Sequence, residues 1–130
     1  MKYSLLVLSN PASGSCNRSA AAFAHALLAA GHDIERVFFL DEGTRSGDAL
    51  AVWPQDEAGP LPLWRSLAQE HGVELVLCIS SALRRGMLDD AEAQRWERHA
   101  HSIAPEFSIG GLGLLVDATQ TSERLVTFGG

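Results

Sequence analysis

Apolar residues fall in short runs along this chain, separated by helically spaced stretches and by clusters of turn formers. Residues 3–8 are the first run and read as a strand. Asn10-Pro11-Ala12-Ser13-Gly14-Ser15 follows as a turn. Alanine and leucine dominate residues 17–30, which predicts a helix stopped by Gly31. Ile34 to Leu40 is a second strand, rich in valine and phenylalanine. A helix of crossover length between two strands predicts parallel pairing.

Residues 41–60 break this rhythm with Asp41-Glu42-Gly43, Ser46-Gly47-Asp48 and Pro54 to Pro60, all polar and turn-forming. Leu50, Val52 and Trp53 sit within the segment. They either fold back on the core or meet a partner. Leu61 to His71 has helical spacing and ends at Gly72. Val73 to Cys78 is the third strand. Residues 79–86 read as a loop. Asp89-Asp90-Ala91-Glu92 opens a helix running to about 101, with acids where they suit the dipole. Residues 107–109 form a short strand, 114–120 a helix, and 124–128 a last strand before the tail Gly129-Gly130. The expected fold is one α/β domain over residues 1–130. It has an open, mainly parallel five-stranded sheet with helices on both faces.

Charge narrows the function classes. The formal net charge is -6, with one lysine among the ten basic residues. A chain that grips nucleic acid through phosphates is normally basic, so direct, tight nucleic-acid binding is not expected. No apolar run is long enough for a signal peptide or a membrane span. The two cysteines, Cys16 and Cys78, do not make a disulfide scaffold. A reducing cytoplasmic setting fits this usage.

The chemistry concentrates at Cys78. It closes a buried strand, where open α/β sheets place their sites. The bland alternative is a small apolar core residue. The neighbouring Arg84 and Arg85, with the amides of residues 79–82, favour a thiolate nucleophile instead. The Cys-x5-Arg spacing to Arg84 also fits a thiol phosphatase, although the loop between has no glycine. The loop 9–16 has hydroxyls before a helix start, as in an anion or flavin cradle. It lacks the glycine spacing of a dinucleotide site and the lysine of a phosphate-binding loop. The five histidines are scattered, so no metal site is expected, and no cofactor is expected either. Cys16 lies at a helix start, where it is an activated thiol or a small capping residue.

Leu77-Cys78-Ile79-Ser80-Ser81-Ala82-Leu83-Arg84-Arg85-Gly86-Met87-Leu88-Asp89 resembles the active-site segment of the TusD/DsrE family of sulfur-relay proteins. Val37 to Thr44 resembles the family's second strand and turn. Phe107 to Gly113 and Arg124 to Phe128 resemble its carboxyl-terminal segment. Leu6 to Pro11 with Ser13-Gly14 matches its first strand and loop more loosely. The resemblance implies a sulfurtransferase subunit with Cys78 as persulfide carrier. It also implies a dimer of heterotrimers with TusB-like and TusC-like subunits, a TusA-like donor and a TusE-like acceptor. The destination is then 2-thiouridine at the tRNA wobble position, or sulfur oxidation for DsrE-type relatives. Cys16 and the turn Asp56-Glu57-Ala58-Gly59-Pro60 depart from the family pattern.

Overall fold

The computed structural model of the chain describes residues 1–129; Gly130 of the expected tail lies outside the described residues. Five strands form one sheet: β1 (Lys2–Val7), β2 (Asp33–Phe39), β3 (Glu74–Cys78), β4 (Phe107–Gly110) and β5 (Arg124–Phe128). Their order is β4-β3-β2-β1-β5, and every pairing is parallel. The expected open parallel sheet is therefore the observed one.

Alternation along the central strands splits the core in two. Leu5, Val7, Val37, Phe39, Leu75 and Leu77 face the larger layer, covered by α1 (Cys16–Ala29) and α2 (Leu61–His71). Phe38, Val76 and Cys78 face the other side, where Leu114 and Leu115 of a later helix pack on them. The chain steps β1 to β4 in one direction and then returns across the sheet to β5. The return carries that helix to the opposite face.

Several local expectations need correcting. Residues 79–86 are mostly helix: α3 spans Ile79–Arg84, directly after β3. Asp41–Gly47 is a 3-10 helix rather than open loop. It lies so close to β1 that a Cβ on Gly43 would sit 2.0 Å from the Val7 carbonyl oxygen. The helix begun at Asp89 is short. In α4 (Asp90–Arg95), Asp89 caps the start by accepting from the Glu92 amide at 2.8 Å. Glu97 then takes a positive φ of 54°, and the Arg98 amide donates back to the Ala93 carbonyl, a left-handed termination. The last helix is α5 (Gly113–Thr121).

Trp53 and Trp64 have different surroundings. Trp64 is fully buried in the core. Its indole Nε1 donates to Asn17 Oδ1 at 3.0 Å, and Asn17 Nδ2 donates to the Ser9 carbonyl and to Ser46 Oγ. Trp53 is half-buried against Gly59. Leu50 and Val52 are exposed and do not return to the core.

Candidate functional site

Cys78 ends β3 and immediately precedes the first turn of α3. Its neighbour across the sheet is Gly110 of β4. A side chain there would meet Leu114 Cδ1 at 2.4 Å, so glycine is what lets α5 seat Leu114 beside the cysteine strand. Only 2% of Cys78 is exposed. Burial by itself pushes the thiol up. The Ser80 hydroxyl opposes it, and so do the amide and hydroxyl of Ser81 and the amide of Ser80. The sum holds the thiol below its ordinary value. Ser80 Oγ lies 3.5 Å from the sulfur.

Ser81 is placed for this by the segment after β2. Its Oγ accepts from the Asp41 amide at 3.1 Å. With that lone pair occupied, the hydroxyl proton is left to turn toward the sulfur. Asp41 holds a positive φ of 51° to present its amide.

The arginines behave differently from each other. Arg85 Nε donates to Glu42 at 2.5 Å, and its Nη1 donates to the Ser81 carbonyl at 3.1 Å. Glu42 also accepts from Asn10 Nδ2 at 2.8 Å. The hydrogen bond from Arg85, then the one from Asn10, hold the Glu42 carboxyl below the usual carboxylate range. In the sheet β2 lies between β1 and β3, so the loop after β1 and the helix after β3 follow strands that are not neighbours. Glu42 bridges them. Arg84 is exposed at the far end of α3 and forms no ion pair among the described residues.

The sequence reading named the arginines and the amides of 79–82 and missed the serine hydroxyls. The signal was present as two consecutive serines following the cysteine at a helix start. Behind the site, Arg36 ties α5 to the sheet. It donates to Glu74 at 2.8 Å, to the Leu114 carbonyl at 2.8 Å and to Asp117 at 3.1 Å.

The remaining candidates lie elsewhere. Cys16 is half-buried at the start of α1, and its thiol donates to the Gly129 carbonyl at 3.1 Å. Asn10 closes its own turn by accepting from the Ala12 amide at 2.8 Å. Among the described residues no group of three or more histidine, cysteine or acidic side chains is placed to hold a metal. Among them also, no helix is long and apolar enough to cross a membrane.

A model of the DsrE/DsrF-like family matches residues 1–128. The chain belongs to that family. A "Sulfurtransferase TusD homolog" from Pseudomonas aeruginosa is 40% identical over 130 residues, covering 100% of this chain and 98% of the relative. "Sulfurtransferase TusD" from Salmonella typhi is 40% identical over 129 residues, covering 98% and 100%. "Putative sulfurtransferase DsrE" from Allochromatium vinosum is also 40% identical over 129 residues, covering 99% of each. The crystal structure of the ychN protein from E. coli superposes with a TM-score of 0.72 at 18% identity, covering 98% of this chain and 100% of that one. At that identity the likeness shows the fold alone. The DsrE/DsrF-like chain described here thus combines a family fold with a buried cysteine at the carboxyl end of β3.

Proposed function

We propose that this chain is a sulfurtransferase subunit that takes persulfide sulfur on Cys78 and relays it toward 2-thiouridine at the tRNA wobble position. One observation carries the reading. A cysteine at the carboxyl end of a central strand has its thiol held low by Ser80 and Ser81 against the effect of burial. An inert core cysteine has no need of that arrangement.

The Cys78 thiolate attacks the outer sulfur of a donor persulfide. The donor S–S bond breaks, the donor leaves as a thiolate, and the product is Cys78–S–SH. An acceptor thiolate then attacks the terminal sulfur, and Cys78 leaves as a thiolate. One sulfur atom moves in each step with no net oxidation. Ser80 and Ser81 stabilise the anion at both stages. Arg85 works by fixing α3 against Glu42, whereas Arg84 is open to charge. TusA-like and TusE-like proteins are the donor and acceptor in this reading, and TusB-like and TusC-like subunits complete the assembly.

The relative named TusD and the relative named DsrE are each 40% identical, so sulfur oxidation is the second reading. A deletion strain of the native organism separates them. Wobble 2-thiouridine, measured by mass spectrometry of digested tRNA, is expected to vanish and to return with the wild-type gene but not with Cys78→Ser. Undiminished 2-thiouridine in the deletion strain overturns the tRNA route.

A further inference from the structure

A groove of about 330 Å³ runs beside α3, lined by Leu83, Arg84, Gly86, Leu88, Trp96 and Arg98. Three features distinguish it from ordinary surface. First, Trp96 is 52% exposed and yet fixed, because its Nε1 donates to the buried Glu92 at 3.0 Å. An exposed indole held by a hydrogen bond offers a rigid apolar face at little entropic cost. Second, the turn at Glu97 brings Arg98 back beside it, with Arg98 Nη1 on the Trp96 carbonyl at 2.7 Å. Third, most arginines of this acidic chain hold a carboxylate: Arg36, Arg45, Arg65, Arg85 and Arg95 all do. Arg84 and Arg98 form no ion pair among the described residues, and both line this groove.

We propose that this groove seats an acidic peptide segment of the protein that exchanges sulfur with Cys78. The guanidinium groups of Arg84 and Arg98 take its carboxylates, and the Trp96 face takes an apolar side chain between them. The proposal rests on the sulfur-relay reading for the identity of the partner. The place fits that reading, since α3 is only six residues long, or roughly 9 Å, and carries Cys78 at its other end. A nucleic-acid strand is disfavoured, because the groove offers two cations on a chain of net charge -6.

The test uses the full chain and a fluorescein-labelled synthetic peptide alternating glutamate and leucine, followed by anisotropy. Saturable binding is expected, weakened about tenfold or more by Arg98→Glu and by Trp96→Ala. Arg124→Glu, an equal charge change on exposed β5, is expected to leave binding intact. No saturable binding by the wild-type chain overturns the proposal. Equal weakening by Arg124→Glu does so too, since it means attraction to net charge alone. A labelled DNA strand of the same charge binding as tightly as the peptide also overturns it. Sulfur loading of Cys78 is read separately by mass spectrometry. A chain that loads sulfur and ignores the peptide loses the groove only, and a chain that holds the peptide and never loads sulfur loses the relay reading.

Discussion

Arg85, which caps the carboxyl end of α3, holds Glu42 of the 3-10 helix at 2.5 Å, and through this pair the segment after β2 is fastened to the helix that follows Cys78. Half of the Glu42 side chain is open to solvent, so the pair contributes position more than stability. The folded carboxyl lies below its ordinary value, so the pair stabilises the fold above the unfolded pKa. That contribution fades as pH falls through the depressed folded value. Glu42→Gln is expected to cost no more than about 1 kcal/mol at neutral pH. Urea unfolding of both proteins checks this, and the gap between them is expected to close in acid.

Ser80 and Ser81 oppose the effect of burial on the Cys78 thiol. The rate of Cys78 alkylation by iodoacetamide in a Cys16→Ser background is expected to rise with a midpoint below that of an ordinary cysteine thiol. Ser80→Ala is expected to move that midpoint up with little loss of stability, because Ser80 is exposed. Ser81→Ala also moves it up. It further strips the Asp41 amide of its acceptor, at a cost of about 1–3 kcal/mol. Thermal unfolding alongside the alkylation profile separates the two effects.

Gly110 tests how α5 covers the site. A methyl group there would lie 2.4 Å from Leu114 Cδ1 and 3.0 Å from Val76 Cγ1. Leu114 is a side chain and can swing away, so Gly110→Ala is expected to fold at a cost of about 1–3 kcal/mol. Loosened packing over the cysteine cluster is expected to speed alkylation of Cys78. Unchanged alkylation with normal stability would show that α5 does not limit access.

The Asn17–Trp64 pair is the structural counterpart. Asn17→Ala leaves the buried indole N–H without an acceptor and frees the Ser9 carbonyl and Ser46 hydroxyl. A loss of about 2–4 kcal/mol in denaturant unfolding is expected, with the midpoint of Cys78 alkylation unchanged.

The strands were legible because buried parallel strands are nearly continuous apolar runs, as in Val37 to Phe39 and Leu75 to Leu77. Gly31 and Gly72 marked helix ends because both take positive φ. Helix α3 was not legible, since six residues opening with Ile-Ser-Ser carry too little propensity. Its support is tertiary: Asp41 on Ser81, and Glu42 on Arg85. The early end of α4 was hidden for a related reason, as Glu97 fills a left-handed position where glycine is usual. For the site, strand position pointed to Cys78. The two arginines looked alike in sequence, and only the fold pairs one with Glu42 and leaves the other open.

The central claim is that Cys78 carries sulfur. The most direct measurement incubates the Cys16→Ser protein with a persulfurated donor, traps it with an alkylating agent and maps the peptides by mass spectrometry. The expected result is the added mass of one sulfur atom on the peptide containing Cys78, lost again when an acceptor thiol is supplied. Loading of that sulfur is expected to be absent in Cys78→Ser with an unchanged fold. Sulfur retained by the folded Cys78→Ser protein, or none on Cys78 in its parent, would contradict the account.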